Sequence, residues 1–385
     1  MIVRTRKIQF AALPSQQLFF DCVARVKGFS GPVGSGKTYA LNYQALLCAI
    51  QNPGRVGLIG APTYPMLKDV TLRAMLEILE EKRIRFMYRK EDHVLTLLHN
   101  KATILFRSLD RPETLRGSTL AWIGVDELTY CRDADAWLRL EARLRDPKAT
   151  RHQMFAVWTP KGFDWVYKRF ISPKEKLAGH EIIFAQPEEN RFVLSKRPDY
   201  YGDLKTSYDE NFYKQEALGM YLNVHSGRVY YAYSQANEDP NLRYAPEAGL
   251  YWSLDFNVDP MTAVIAQHLK GRLHVLDEIF LRNANTPEMC ERFEQRIAPY
   301  LQAYQAANGG QPLPVIVNGD ATAKSRSTAS KTDYELITEY FRSRGQLKIR
   351  MDYPSKNPPV KDRVNSVNAL LKNAKGDIRT YVCPS

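Results

Sequence analysis

Cysteines, zinc-binding patterns and long apolar runs are scarce in this sequence. The five cysteines lie far apart, with no C-x-x-C pair and no histidine at zinc spacing. This pattern argues against a zinc site or a disulfide framework, and it predicts free thiols in a reducing compartment. No apolar run approaches the roughly 20 residues that span a bilayer, and the N-terminal MIVRTRKIQF lacks a signal-peptide core. We therefore expect a cytoplasmic protein without a membrane segment.

Acidic residues are fewer than basic ones. The 385 residues include 54 Lys and Arg against 42 Asp and Glu, which gives a formal charge of +12. Such an excess favours a polyanionic partner, most commonly nucleic acid, although a role in solubility alone would also account for it. The length exceeds that of one ordinary core and predicts two or three domains.

The most specific motif is GPVGSGKT, which fits G-x-x-x-x-G-K-[ST] at every defined position. Glycines in this motif let backbone amides face phosphates, while the lysine reaches the β/γ oxygens and the hydroxyl ligates Mg²⁺. The strand-like ARVKGFS precedes it and the helical TYALNYQALLCAI follows it, which makes a chance Gly/Ser loop the weaker alternative. The predicted ATP-binding residues are Gly31, Pro32, Val33, Gly34, Ser35, Gly36, Lys37 and Thr38.

The second motif is acidic and lies in LAWIGVDELTY, where an apolar run ends in Asp126 and Glu127. Asp126 fits a metal-side carboxylate, and Glu127 fits the general base that activates the attacking water. Further strand candidates occur in RVGLIGAPTY, in HVLTLLHNKATILF and at 154–158. Strands that alternate with helical segments predict a largely parallel α/β sheet with the nucleotide at its carboxyl edge.

With the loop GPVGSGKT, the segment RSLDRPETLRGSTLAWIGVDE and the segment VWTPKGFDWVY, the N-terminal part resembles the large subunit of tailed-phage DNA-packaging terminases. The resemblance implies a RecA/ASCE-like P-loop ATPase domain in which Thr159 couples hydrolysis to movement. It also implies an adenine-reading glutamine, either Gln16 or Gln17, with Gln17 slightly preferred over Gln16. Either glutamine could instead be a solvated residue at a helix start. A transition-state arginine is expected at Arg111 or at the Arg-Gly step of Arg116, although either could contact DNA or solvent instead.

A change in composition separates the two halves of the chain. The segment 226–248 is rich in Tyr, Asn, Pro and Gly without a clear period, so it is predicted to be a linker. The ATPase domain is then 1–225 and a second domain is 249–385. The second domain has the predicted order of three strands, helix, strand, helix, strand and helix, with a tight turn at Lys270 and Gly271. This order matches the RNase H-like nuclease fold, which has a mixed sheet.

Two aspartates of this second domain are candidate metal ligands. Asp255 lies on its first strand and Asp320 at the end of its fourth, and the RNase H-like fold places these positions side by side. Carboxylates brought together in this way hold two Mg²⁺ or Mn²⁺ ions for phosphodiester cleavage. The alternative for each aspartate is a cap on a turn at a strand end.

The third nuclease carboxylate departs from the family pattern. The resemblance implies an acid after a basic helix and one further strand, but the sequence stops at Ser385. Asp362 is the preferred substitute, with Asp259 and Glu278 as alternatives. We expect that a C-terminal piece is missing from this sequence, with nuclease activity weak or absent while ATP hydrolysis survives.

The resemblance implies an ATP-driven motor that moves double-stranded viral DNA into a procapsid and cuts concatemeric DNA. Its implied partners are the portal protein and the small terminase subunit, in a homo-oligomeric ring in the host cytoplasm. One alternative is a helicase or repair ATPase fused to a resolvase-like nuclease, but no second ATPase pattern follows Tyr221. The other is a DNA-binding scaffold with a decayed ATP site, against which the intact motif residues argue.

Overall fold

The computed structural model describes residues 9–115, 117–222, 229–257, 259–321 and 331–384. The chain divides into two compact units, one formed by Met1–Leu204 with Asn211–Ser226 and the other by Lys205–Glu210 with Gly227–Ser385. The domain boundaries given from the sequence, at 225 and 248, stay a prediction. Within the described ranges, no helix has both the length and the apolar character needed to cross a membrane.

The first unit is built on one eight-stranded sheet. Its strands are β1 (Val26–Ser30), β2 (Val56–Ala61), β3 (Phe86–Arg89), β4 (Val94–Leu97), β5 (Thr103–Ser108), β6 (Trp122–Val125), β7 (Gln153–Trp158) and β8 (His180–Phe184). They lie in the order β3-β4-β5-β2-β6-β7-β1-β8. Among the strands of this sheet that the structure describes, only the β3–β4 and β4–β5 pairs are antiparallel. The predicted mostly parallel sheet is confirmed, with β7 between β1 and β6.

The central strands are buried along their whole length, because helices cover both faces of a parallel sheet. Every residue of β1 and β7 is buried. Gly57 on β2 faces the indole of Trp122, and a Cβ at this glycine would lie only 1.9 Å from that ring. The absence of a side chain at Gly57 therefore makes room for one of the largest buried residues of the core.

Short helices occur before, between and after these strands in the chain. They are α1 (Pro14–Asp21), α2 (Lys37–Gln51), α3 (Tyr64–Met66), α4 (Arg73–Glu81), α5 (Asp135–Glu141), α6 (Trp165–Phe170), α7 (Arg191–Leu194), α8 (Tyr200–Ser207) and α9 (Glu210–Phe212). Two π-helical segments are found at Leu67–Leu72 and Tyr213–Ala217, and 3-10 turns at Pro112–Leu115, Leu128–Tyr130 and Pro187–Glu189. The longest is α2, whose buried face includes Leu41, Ala45 and Cys48. The predicted strand–loop–helix around the glycine-rich loop is therefore present.

The second unit contains a six-stranded mixed sheet. In chain order its elements are β9 (Leu250–Asp255), β10 (Met261–Leu269), β11 (Arg272–Leu281), α10 (Thr286–Ala307), β12 (Leu313–Gly319), α11 (Asp333–Arg342), β13 (Leu347–Met351), α12 (Val360–Leu371) and β14 (Thr380–Val382), with a 3-10 turn at Gln235–Asn237. The strand order is β13-β12-β9-β10-β11-β14. Pairs β9–β10 and β10–β11 are antiparallel, whereas β12 is parallel to both β9 and β13. This confirms the predicted fold class.

Two local features explain why this unit folds as the sequence suggests. Lys270 and Gly271 have positive φ angles of 49° and 78°, the conformation of a two-residue hairpin turn. In the core, Trp252 stacks on Phe293 with ring centroids 3.9 Å apart, and Phe341 meets the indole edge-on. Strand β9 is thereby packed against α10 and α11, which fixes the position of its carboxyl end.

Candidate functional site

The loop between β1 and α2 lies at the carboxyl end of the parallel strands. Gly34 and Gly36 have φ angles of 76° and 80°, a left-handed conformation that favours glycine. Because α2 begins at Lys37, the free N–H groups of its first turn end in this loop. A loop of this kind at a helix N-terminus is a ready-made anion-binding site.

Four predicted residues come together around this loop. Lys37 is buried, and its Nζ donates to the Pro32 carbonyl at 2.9 Å and lies 3.7 Å from Glu127 Oε1. Thr38 Oγ1 lies 3.4 Å from Asp126 Oδ1. The loop lysine and hydroxyl therefore face the two acids at the end of β6, although the two motifs are separated by almost ninety residues.

Asp126 is only 2% exposed and carries an unfavourable negative charge. Burial, with a smaller contribution from the Glu127 carboxylate, raises the pKa of Asp126 to about 6. Thr71, on the π-helical segment Leu67–Leu72, donates a 2.7 Å hydrogen bond to Asp126 Oδ2. The raised pKa means that these hydrogen bonds do not offset the cost of burying the negative charge of Asp126. A cation beside Asp126 would offset that cost, and the nearby Thr38 hydroxyl fits an Mg²⁺ ligand set. Thr71 belongs to no motif and was not predicted.

Glu127 combines an unusual backbone conformation with side-chain contacts to the end of β7. Its φ of 47° is left-handed, which is uncommon outside glycine and is found at functional sites. The Thr159 N–H donates to Glu127 Oε2 at 3.1 Å, and Thr159 Oγ1 donates to Oε1 at 3.3 Å. Thr129 Oγ1 in turn donates to the Thr159 carbonyl at 2.9 Å. The predicted coupling residue and the predicted general base are therefore in direct contact.

The two candidate glutamines occupy different environments. Gln16 is buried, donates through Nε2 to the Gly36 carbonyl at 3.0 Å, and accepts from the Leu13 N–H. Gln17 is exposed and binds the Asp21 carboxylate at 2.9 Å. The two side chains differ because successive side chains on α1 point about 100° apart. Gln16 contacts the loop, whereas Gln17, which the sequence slightly favoured as the adenine-reading residue, faces solvent. Gln16 also lines a cavity of about 450 Å³ together with Tyr39, Tyr43, Asn190 and Phe192 among others.

A segment far along the chain contacts the outer side of the loop. The Asn190 side-chain amide donates to the Gly34 carbonyl, and Tyr201 donates to the Val33 carbonyl at 3.1 Å. The Val33 N–H donates to the Glu216 carbonyl at 2.7 Å. These residues were not predicted, since they belong to no sequence motif and lie more than 150 residues from the loop.

In the second unit, the two predicted aspartates lie at the ends of neighbouring parallel strands, with Asp255 as the last residue of β9 and Asp320 directly after β12. Gly319 on β12 pairs with Leu254 on β9, so Asp320 and Asp255 come next in register, on the same face of the sheet. Asp255 Oδ2 accepts from Asn257 Nδ2 at 2.9 Å, and Asp320 Oδ1 lies 3.5 Å from Arg363 Nη1. Adjacent carboxylates are ligands that Mg²⁺ and Mn²⁺ prefer.

The three candidates for the third carboxylate lie on different elements of the second unit. Asp362 lies in the first turn of α12, and Glu278 lies on β11 opposite Val264, two strands away from β9. Asp259 lies in the turn before β10. Across the described ranges, no three Asp, Glu, His or Cys side chains gather at metal-binding distance. The described residues therefore offer Asp255 and Asp320 as two in-register candidate ligands, and none of the three candidates for a third acid gathers with them there.

The two arginine candidates belong to the segment between β5 and β6. Arg116 lies outside the described residues. Arg111 is exposed. The role of each arginine stays a prediction.

The fold and the loop together define a class of protein. A glycine-rich strand–loop–helix, with one strand inserted between the loop strand and the acidic strand, is the arrangement of RecA/ASCE-type P-loop proteins, here followed by an RNase H-like unit. The family model "Terminase large subunit, T4likevirus-type, N-terminal" matches residues 29–235. The chain belongs to this family of phage terminase large subunits.

Individual relatives agree with this assignment. The terminase large subunits of Thermus phage G20c and Thermus virus P23-45 are 26% and 25% identical to this chain over 226 residues. These matches cover 51% of this chain and 45% of each relative, so the chain spans about half the length of the curated relatives it matches. The solved structure of a large terminase from a thermophilic bacteriophage has the same fold, with a TM-score of 0.62 at 16% identity over 96% of this chain and 88% of that one.

Proposed function

We propose that this chain hydrolyses ATP to move double-stranded viral DNA into a procapsid, and that its second unit cuts concatemeric DNA. The observation that carries the proposal is the convergence of Lys37, Thr38, Asp126 and Glu127 on a loop with left-handed glycines. Membership in the terminase large subunit family gives this arrangement its biological setting.

Each residue around the loop has a proposed role. The backbone N–H groups of Gly34 and Gly36 and the Lys37 ammonium bind the phosphates, while Thr38 and Asp126 hold Mg²⁺. The ion supplies positive charge to the phosphate oxygens. We propose that Gln16, in place of Gln17, contacts the base, and the cavity that Gln16 lines supports this proposal. The large terminase of the same thermophilic bacteriophage was also solved with ATP-γ-S, and the shared fold supports nucleotide binding here.

Glu127 is the proposed general base and Thr159 the proposed coupling residue. The 3.7 Å contact between Lys37 and Glu127 means that phosphates bound at Lys37 would compete with this carboxylate for the ammonium. Glu127 would then be held mainly by Thr159 and would be available to accept a proton from water. Because Thr159 follows β7, a shift at this strand end would move the carboxylate and so link hydrolysis to movement.

In the second unit, Asp255 and Asp320 are the proposed ligands for Mg²⁺ or Mn²⁺ in DNA cleavage, and Asp362 is the proposed third acid. Register at the ends of β9 and β12 supports the first two. Asp362 is proposed because it lies in the first turn of α12, directly before Arg363 in the chain. We expect weak cleavage because the described ligand set is incomplete.

The proposed partners follow from family membership and charge. The charge of +12 suits sequence-independent contact with DNA phosphates, which salt should weaken steeply. The portal protein, the small terminase subunit and further copies of this chain in a ring on the procapsid are proposed partners in the host cytoplasm. Arg116 or Arg111 would act on the nucleotide, in cis or from a neighbouring copy.

Hydrolysis by point variants tests the ATPase proposal. Lys37→Ala should abolish both binding of a fluorescent ATP analogue and phosphate release, whereas Glu127→Gln should retain binding and lose phosphate release. Lys168→Ala is the matched control, since this half-exposed lysine pairs with Glu175 on the surface. Phosphate release by Lys37→Ala at the wild-type rate would contradict the assignment.

A further inference from the structure

The carboxylate of Asp320 already has a cationic neighbour. Arg363, in the first part of α12, places Nη1 3.5 Å from Asp320 Oδ1. Both side chains are close to half exposed, at 47% for Arg363 and 41% for Asp320, so solvent ions and ligands can reach the pair. Exposed pairs of this kind are weak and readily exchanged, because water and salt screen their attraction.

Arg363 belongs to the most basic part of the chain. Between Arg342 and Arg379 only three acids, Asp352, Asp362 and Asp377, accompany ten basic residues. The basic residues are Arg342, Arg344, Lys348, Arg350, Lys356, Lys361, Arg363, Lys372, Lys375 and Arg379. Lys348 and Arg350 are exposed on β13, the edge strand next to β12. The strand register puts Lys348 and Arg350 on the same face of the sheet as Asp320, which Arg363 contacts, so a polyanion drawn to these residues would approach that contact.

The contact between Arg363 and Asp320 therefore competes with the binding of two different ligands. A cation bound at Asp320 needs the carboxylate that Arg363 now faces, and the guanidinium repels it. A DNA phosphate needs the guanidinium, whose planar donors match phosphate oxygens. Each ligand removes the other's competitor, so the two binding events favour each other.

We propose that Arg363 is a displaceable partner of Asp320, which keeps divalent cations weakly bound until a DNA phosphate draws the guanidinium away. The proposal rests on the proposed nuclease function of Asp255 and Asp320, and it adds a regulatory role for Arg363. By linkage, DNA raises cation affinity by the same factor as the cation raises DNA affinity. Arg363 is a positioning residue that acts through Asp320.

Mn²⁺ binding to the full chain, followed by electron paramagnetic resonance of the free ion at low salt, tests this proposal. Only the Mn²⁺ binding that is lost in Asp320→Asn is compared between the variants. This difference leaves out Mn²⁺ that binds elsewhere on the chain. Arg363→Gln should tighten this binding about three- to tenfold, as expected for removing one nearby positive charge in a solvated site. Arg363→Lys should stay near wild type, since it retains the charge.

Arg296→Gln is the matched control, because it removes the same charge from an ion pair of the same length, with Asp277 at 3.5 Å, and lies outside the basic segment. A short DNA duplex should increase the Mn²⁺ affinity of wild type and should have a smaller effect on Arg363→Gln. Equal or weaker Mn²⁺ binding by Arg363→Gln would overturn the role of Arg363 and leave the nuclease proposal standing. Absence of any binding that depends on Asp320 would overturn both.

Discussion

Thr159 holds both carboxylate oxygens of Glu127, through its backbone N–H at 3.1 Å and its hydroxyl at 3.3 Å. The backbone bond survives any substitution of the side chain, whereas the hydroxyl bond does not. The two contributions can therefore be separated by changing Thr159 alone. The Lys37 ammonium lies 3.7 Å from the same carboxylate, at Oε1.

Thr159→Val should lower the kcat of ATP hydrolysis about tenfold with little change in KM. A hydrogen bond to a charged group contributes about 1.5–3 kcal/mol, and its loss would misplace the general base without altering the phosphate-binding loop. Thr159→Ser keeps the hydroxyl and should recover most of the rate. Steady-state phosphate release measures both parameters, and an unchanged kcat for the valine variant would remove the Thr159 hydroxyl from the mechanism.

Asn190→Asp should weaken ATP binding. The Asn190 amide donates to the Gly34 carbonyl, and its oxygen accepts from the backbone N–H groups of Phe192 and Val193. Aspartate keeps the acceptor that caps α7 but places negative charge against the Gly34 carbonyl. We expect about a tenfold loss of affinity, equivalent to about 1.4 kcal/mol, with an unchanged far-ultraviolet circular dichroism spectrum.

Tyr201→Phe is the milder companion variant for the same prediction. It removes one neutral hydrogen bond to the Val33 carbonyl and leaves the ring in place. Such a bond contributes about 0.5–1.5 kcal/mol, so the loss of ATP affinity should be smaller than for the aspartate. If both variants bound a fluorescent ATP analogue as wild type does, the side chains of Asn190 and Tyr201 would play no part in holding the loop.

The sequence alone predicts the loop and its acidic partner because both are local patterns. Buried parallel strands appear as continuous apolar runs, and each functional residue follows such a run directly. Thr71 and Asn190 leave no comparable signal, since their contacts join positions 55 and 156 residues apart. Only folding brings them to Asp126 and Gly34.

The glutamine that contacts the loop could have been identified from the sequence. Leu13, Gln16 and Phe19 are spaced three residues apart, and all three are buried on one face of α1. Gln17 falls on the opposite, solvated face. A helical period applied to LPSQQLFF favours Gln16, whereas the motif position alone does not distinguish two adjacent glutamines.

Asp255→Asn should separate the two proposed activities. The substitution removes one of the two in-register carboxylates and leaves the loop of the first unit unchanged. We expect Mn²⁺-dependent nicking of supercoiled plasmid, however weak in wild type, to fall below detection, while ATP hydrolysis stays within about twofold, since surface substitutions away from a site seldom matter. Agarose gels and phosphate release measure the two activities. Retained nicking would show that another site does the cutting.

Lys27 should make the first unit more stable as the pH rises above 8. Its side chain is fully buried on β1, and its Nζ donates to the carbonyls of Phe19 and Cys22. Burial lowers the pKa of Lys27 from 10.5 to about 8. Between these values the unfolded chain binds more protons than the folded chain, so stability increases with pH. Below pH 8 both states are protonated, and the cost of the buried charge is fully present.

Comparison of wild type with Lys27→Met isolates this effect from that of other titrating groups. The difference in unfolding free energy, wild type minus variant, should rise by about 2 kcal/mol between pH 7 and pH 9.5, because one pKa unit corresponds to about 1.36 kcal/mol. Methionine fills a similar volume and carries no charge, so its own curve lacks this component. Urea unfolding at each pH, followed by tryptophan fluorescence, measures the difference. A difference that does not change with pH would mean that Lys27 keeps an ordinary pKa in the folded protein.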